Sequence, residues 1–281
     1  MRVTMAQTNP VFGDVQENLE NMITLIYQYK NETDLIVFPE LSLTGYLLKE
    51  KVYDLAITLG SHEIKQICEV SRETGINVMF GFIENGKGTR VYNSSVFIKD
   101  GEVSSIQRKI YPTTYGIFEE GKYFARGKKV KVDEIQDFTS SMLICNDLWH
   151  PSLPHIAAHK HCSLLVCLIN SPEGGLGSTY SSSIGWERLG QFYAGIYGCY
   201  VIIVNRVGEE EDKSFYGNSK VIDPYGQVVD QCPFNDESTQ TCEIDYSKVK
   251  EIRKILPIMR DEDVDLTIRH YQEIASQENA D

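Results

Sequence analysis

The stretch Ser140–Pro154, "SSMLICNDLWHPSLP", holds the alternation that decides the fold class. An apolar run ending at Ile144 and Cys145 reads as a buried strand, Asn146 and Asp147 mark a turn, and Pro151 opens a new segment. The cysteine delivered into that turn has two readings. It is a thiol packed as a small hydrophobe, or a nucleophile at the rim of a sheet with the N–H groups of the next residues aimed at a developing oxyanion. A free thiol with a pKa of ~8.5 is mostly protonated at neutral pH, so the second reading requires a base or a cation close by.

The same alternation continues in both directions. Strands are predicted at 3–7, 35–38, 77–83, 95–99, 142–145, 164–169, 200–205, 219–223 and 241–244, and helices at 16–30, 63–74, 154–161, 179–197 and 246–255. Turn signals such as "ENGKG", "KDGE" and "DPYGQ" close hairpins, so antiparallel pairs accompany parallel ones in an α/β fold with a mixed sheet. No repeat and no low-complexity linker divides the chain, which favours one domain over residues 1–281, with an extended polar tail after about residue 257 whose last residues are expected to be disordered.

Composition narrows the partners. Twenty-seven basic against forty acidic side chains give a net charge of −13, which repels phosphate backbones and anionic lipid surfaces, so neither nucleic acid nor membrane is expected as a partner. No secretory core and no spanning apolar run is present, and the seven cysteines form an odd set without a C-x-x-C pair. A cytoplasmic protein in a reducing compartment is the expectation.

Two segments offer the groups that Cys145 lacks. In "LIVFPELSLTGY", Glu40 follows an apolar strand and a ladder-ending Pro39, at a strand's C-terminal end, where α/β sites usually lie. In "IQRKIYPTTYGIFEEGKYFARG", Arg108, Lys109, Glu119 and Glu120 stand among Tyr111, Tyr115, Phe118, Tyr123 and Phe124, and aromatic walls strengthen a lysine's field on an oxyanion. Each segment read alone is also a solvated loop. In "HPSLPHIAAHKHC", His155 and His159 share one helical face, but Ile156 stands where an H-E-x-x-H glutamate would be, and no second ligand cluster is evident. They read as surface or packing histidines, and no metal or other cofactor is expected. "SPEGGLGS", 171–178, lacks the Lys-Ser/Thr of a phosphate loop and reads as a solvent-facing loop able to line a pocket.

Taken in order, "VFPELSLTGY", "QRKIYP" and "LICNDLWHP" resemble the three hallmark segments of the nitrilase superfamily of carbon–nitrogen hydrolases. "YNSSVFI", "NSPEGG", "VNRVG" and "FYGNSKVIDPYGQVV" extend the resemblance over almost the whole chain. The resemblance implies a four-layer αββα sandwich, a catalytic triad of Glu40, Lys109 and Cys145, and a second active-site carboxylate at Glu120. It further implies hydrolysis of a small amide through a thioester on Cys145, with the backbone N–H of Asn146 and Lys109 on the oxyanion, and self-association as a homodimer or higher homo-oligomer through the 179–197 helix. Tyr46, Tyr115, Trp149, Asn146 and Asn170 are the expected substrate-pocket residues, while for the first three, and for Arg108 and Arg206, a packing role is equally open. "CNDLWHP" with "YPTTYGIFEEGKYFARG" is most similar to the glutamine-hydrolysing domain of NAD synthetases. No synthetase domain follows, which points to a free-standing amidase, with a stand-alone or partner-dependent glutaminase, an N-carbamoyl hydrolase and a non-catalytic binding protein as alternatives. True nitrilases favour Trp-Glu after the cysteine, and this chain has Asn146-Asp147.

Overall fold

In the computed structural model, which describes residues 1–175, 177 and 179–278, the chain folds around two six-stranded mixed sheets. The first sheet holds β1 (Arg2–Gln7), β2 (Leu35–Val37), β3 (Asn77–Asn85), β4 (Val91–Lys99) and β5 (Glu102–Arg108). Its fellow holds β6 (Asp133–Ile135), β7 (Phe138–Ile144), β8 (Leu164–Ile169) and β9 (Tyr200–Asn205). A hairpin, β10 (Val207–Glu210) and β11 (Lys213–Tyr216), separates these from β12 (Lys220–Ile222), β13 (Val228–Gln231) and β14 (Ser238–Glu243). The strand orders are β14-β1-β2-β3-β4-β5 and β13-β12-β9-β8-β7-β6, so the last strand returns to the first sheet and pairs antiparallel with β1 from Arg2↔Glu243 to Gln7↔Ser238.

Each face of each sheet is apolar because each is covered. Val3, Met5, Leu35, Val37, Met79 and Phe97 of one sheet interdigitate with Phe138, Met142, Leu164, Val166, Leu168, Tyr200 and Ile202 of the other, forming the central layer contact. The outer face of the first sheet buries Ile36, Val78, Phe80 and Phe82 under Leu19, Met22 and Ile26 of α1 (Val15–Gln28) and Ile64, Ile67 and Val70 of α2 (His62–Thr74). On the second sheet, Leu143, Leu165, Cys167, Val201 and Ile203 lie under Leu153 and Ala157 of α3 (Ser152–His159) and Trp186, Tyr193 and Ala194 of α4 (Ser182–Tyr197). This is the expected αββα sandwich. Doubly covered strands read as continuous apolar runs, which is why β2, β8 and β9 were legible in the sequence within a residue of their observed bounds.

The termini of helices follow local chemistry. Asp14 caps α1 by accepting from the N–H of Glu17 at 3.0 Å, and Gly75, at φ +74°, closes α2 in the left-handed conformation with its N–H on the Ser71 carbonyl. After α5 (Tyr246–Ile255), the segment read as an extended tail is helical instead, as α6 (Ile258–Asp261) and α7 (Val264–Glu278). Val264, Ile268 and Tyr271 recur at helical spacing, a period masked by the many acidic and polar residues around them. Residues 279–281, for which disorder is expected, lie outside the described residues. No helix among those described is long and apolar enough to cross a membrane.

β2 and β3 are parallel, and β5 runs the same way because it is two antiparallel steps from β3. β7, β8 and β9 are likewise parallel to one another. The residues following β2, β5, β7, β8 and β9 therefore leave the sheets at their C-terminal ends. Gly81 on β3 makes room for one of these exits: a Cβ there would lie 2.2 Å from the Leu41 nitrogen and 2.9 Å from the Glu40 Cα. Gly81→Ala is expected to lower stability by about 1–3 kcal/mol in urea unfolding. Gly60→Ala, where a Cβ meets only Thr58 Oγ1 at 3.9 Å, is expected to leave the midpoint unchanged.

Candidate active site

Lys109 follows the last residue of β5, and its side chain is wholly buried. Such a cation requires partners, and its Nζ donates at 2.7 Å to Glu40 Oε1 and at 2.7 Å to Glu120 Oε1. Glu40, just past β2, is also fully buried; its Oε1 accepts a second bond from Asn93 Nδ2 at 2.7 Å. Glu40 Oε2 has no hydrogen-bond partner among the described residues. Glu120 Oε1 accepts from the Tyr46 hydroxyl, and Oε2 from the Thr113 N–H at 3.1 Å. The neighbouring Glu119 is exposed and pairs with Lys122, so of the two adjacent glutamates the buried one is Glu120, which the resemblance singled out.

Cys145 begins a 3-10 turn (Cys145–Trp149) at the end of β7, where the sequence reading had continued the strand. Its φ is +47°, a left-handed conformation that a non-glycine residue adopts at a cost of about 1–3 kcal/mol and that clusters at functional sites. The turn directs the chain sharply out of the sheet. Leu41, directly after Glu40, has φ +46° and makes the equivalent exit from β2.

The turn is held by Asp147. Its Oδ1 accepts from the N–H groups of Ile110 at 3.0 Å and Tyr111 at 2.8 Å, joining the segment after Lys109 to the segment after Cys145. Asn170, at the end of β8, donates from Nδ2 to the Glu40 carbonyl at 2.8 Å, tying the first sheet to the second. Asn93 received no role from the sequence, and Asp147 only that of marking the turn. Their signals were Asn93 within "YNSSVFI" and an acid two residues beyond the cysteine, but the partners lie 53 and 37 positions away along the chain.

Burial dominates the electrostatics. It pushes the Glu40 carboxyl above the usual range, opposed by the Lys109 ammonium, and pushes the Cys145 thiol well up, with Glu40 adding to the rise and Lys109 opposing it. The two carboxylates outweigh burial at Lys109 and keep it protonated, well above its ordinary value. Lys109 uses two of its three N–H donors on the glutamates and retains one.

Cys145 opens into a narrow, partly open pocket lined by Tyr115, Phe118, Asn146, Trp149, Asn170 and Trp186 among others. The Tyr115 hydroxyl donates to Asn146 Oδ1 at 2.5 Å, and Trp149 packs edge-on against Trp186. Four of the five expected pocket residues thus meet there. Tyr46 does not line it: its ring packs between Phe118 and Phe215 and its hydroxyl serves Glu120. Both arginines pack. Arg206 is fully buried on Glu210 and over Phe215, and Arg108 pairs with Glu84 and stacks on Tyr92. In the 171–178 loop, Ser171, Pro172 and Gly175 line the pocket, and residues 176 and 178 lie outside the described residues.

The sequence pattern of the carbon-nitrogen hydrolase family matches residues 2–254, and the chain belongs to that family. The glutamine-dependent NAD(+) synthetase of Thermotoga maritima is 28% identical over 268 residues, covering 92% of this chain and 45% of the synthetase. The chain spans about half the length of such synthetases. The 2-oxoglutaramate amidase of Bacillus subtilis is 26% identical over 260 residues, covering 92% of this chain and 96% of the amidase. The crystal structure of a carbon-nitrogen hydrolase from Helicobacter pylori G27 superposes with a TM-score of 0.85 at 22% identity, covering 94% of this chain and 96% of the other, a likeness of fold.

Burial pushes the Asp147 carboxyl up to about 7, above its ordinary 3.8, against the pull of the Tyr111 and Ile110 N–H groups. The folded protein holds this proton more tightly than the unfolded chain, so the group stabilises fully below about pH 4 and loses that contribution as pH rises through about 7. The urea midpoint is expected to fall less steeply across this window in Asp147→Asn than in the wild type; Glu40, shifted in the same direction, leaves a residual slope.

Proposed function

We propose that this protein is an amidase that hydrolyses the C–N bond of a small linear amide through a thioester on Cys145. The observation that carries the reading is the buried Glu40–Lys109–Glu120 cluster set behind a left-handed Cys145 at the mouth of a pocket.

The resting thiol is protonated, since burial and Glu40 raise its pKa, so attack requires removal of the proton as the C–S bond forms. The free Oε2 of Glu40 is the base for that step, and the rise in its pKa on burial makes it a stronger proton acceptor than an ordinary carboxylate. Cys145 Sγ adds to the amide carbon, and the carbonyl oxygen becomes an oxyanion, which the third Lys109 N–H and the Asn146 backbone N–H stabilise. Glu40 protonates the departing nitrogen, the C–N bond breaks and ammonia leaves. Glu40 then activates water against the thioester, releasing the carboxylate and restoring the thiol. Glu120, fixed by Tyr46 and Thr113, positions Lys109.

The walls of Tyr115, Phe118, Trp149 and Trp186 with the amides of Asn146 and Asn170 suit a compact substrate whose acyl part is apolar and whose amide is held by neutral polar groups. The likeness to the synthetase supports glutamine as the second substrate to test.

The test is ammonia release from aliphatic and aromatic amides, dicarboxylic monoamides, glutamine and N-carbamoyl amino acids. Cys145→Ala is expected to reduce turnover by about four orders of magnitude or more with unchanged circular dichroism, and intact mass should reveal an acyl adduct in the wild type alone. Glu40→Gln should do likewise while preserving the Lys109 bond. Lys109→Ala strands two buried carboxylates and should also cost about 3–5 kcal/mol of stability. A Cys145→Ala protein that retains turnover would refute the mechanism.

A further inference from the structure

On the outer face of the second sheet, the sequence reading left His155 and His159 as packing histidines because no further ligand was evident. The fold supplies one. Glu262, in the short link between α6 and α7, reaches both rings: its Oε1 lies 3.1 Å from His155 Nε2 and its Oε2 lies 3.3 Å from His159 Nε2. The two Nε2 atoms are themselves 3.1 Å apart. The three side chains come from positions 107 residues apart at the widest, counting 262 less 155, and converge without any other carboxylate or thiol completing the set among the described residues.

We propose that His155, His159 and Glu262 form a binding site for a first-row divalent transition metal, with zinc as the best match, which clips the start of α7 onto α3. The geometry has the required scale. Donors held about 2.0–2.1 Å from one zinc ion at tetrahedral angles lie about 3.3 Å from one another, close to the three spacings seen here. Two imidazoles and a carboxylate are a donor set of intermediate softness that favours zinc, cobalt, nickel or copper over magnesium or calcium. Two histidines at i and i+4 on α3 fix two of the three positions on one rigid helix face, so little ordering remains for the metal to impose.

The surroundings fit the same role. The Tyr197 hydroxyl lies 3.5 Å from His155 Nδ1, where it accepts the N–H of the tautomer that leaves Nε2 free for a metal. Met259 of α6 packs on the core beneath α3 and α4, which sets Glu262 at the correct height. The three side chains are about one-quarter exposed, which leaves a face for a water ligand at the fourth position. Ile156 occupies the place of a general base in H-E-x-x-H sites, and none of the three residues lines the Cys145 pocket. The site is therefore assigned to holding the C-terminal helix, and it stands whether or not the amidase reading does.

The experiment is titration of the chelator-treated full-length protein with Co2+ and Zn2+, followed by visible absorption and calorimetry. The expected result is one equivalent bound per chain, cobalt bands of a four- or five-coordinate nitrogen–oxygen site without a sulfur charge-transfer band, and a higher Tm with zinc. His155→Ala, His159→Ala and Glu262→Gln are each expected to weaken binding by about tenfold or more and to remove the Tm gain, with circular dichroism unchanged. Cys145→Ala should bind as the wild type does. Undiminished binding in the three variants, loss of binding in Cys145→Ala, a sulfur charge-transfer band at the first equivalent, or absence of binding by the folded wild type would each overturn the proposal.

Discussion

A fully buried ammonium shared by two buried carboxylates is the constraint around which the centre of this protein is arranged. Removing Lys109, Glu40 and Glu120 from water is costly unless all three meet with good geometry, and any one left alone would carry an uncompensated charge into the interior. The chain meets that demand from three separate segments: the exit of β2, the exit of β5 and a 3-10 turn (Glu120–Lys122) downstream of it. Asn93, Tyr46 and the Thr113 N–H satisfy further lone pairs of the carboxylates. Of the four oxygens of Glu40 and Glu120, Glu40 Oε2 is the one without a partner among the described residues, and an unsatisfied buried oxygen whose charge acts on the Cys145 thiol calls for a reason other than packing.

The second sheet brings the thiol to that cluster. β7 is covered on both faces, so its backbone is fixed, and the left-handed Cys145 turns the chain out of the sheet at one step. Strain of this kind persists only where neighbours over-determine it. Here Asp147 bonds the turn to Ile110 and Tyr111, and Asn170 bonds the Glu40 backbone across the sandwich. The two sheets are thereby locked at their C-terminal ends by polar contacts, while their middles are held by the apolar layer that Met5, Phe97, Met142 and Val166 share. The division of labour places the polar network beside the pocket at the strand ends and leaves the dry core to supply stability.

Much of this was legible from residues alone. Runs such as "LLVCLI" and "YVIIVN" are short and rich in β-branched residues, as strands buried on both faces are, and the three hallmark segments announced the glutamate, the lysine and the cysteine in order. Short or amphipathic elements were not: β5, β6, β10, β11 and β13 carry too few apolar residues to register as a period, and α7 is hidden by its charges. Tyr46 and Arg206 illustrate a different limit. Both were candidates for the pocket, yet one hydroxyl and one guanidinium were drawn to Glu120 and Glu210, because an unpaired buried carboxylate is a stronger claim on a donor than a pocket wall is.

The sequence by itself determined an α/β chain with a mixed sheet and the strands that lead to Glu40, Cys145 and Asn170, because hydrophobic periodicity and strand-end residues are local properties; the αββα layering and the gathering of Glu40, Lys109, Cys145 and Glu120 came from the resemblance of its hallmark segments. Only the tertiary structure decided that Tyr46 serves Glu120 instead of the pocket, that Asp147 and Asn93 serve the site, and that Glu262 comes to rest on His155 and His159. These are outcomes of long-range closure. A side chain's partner is set by where distant segments are packed, and no local pattern encodes a contact between residues far apart along the chain until the layers have closed on one another.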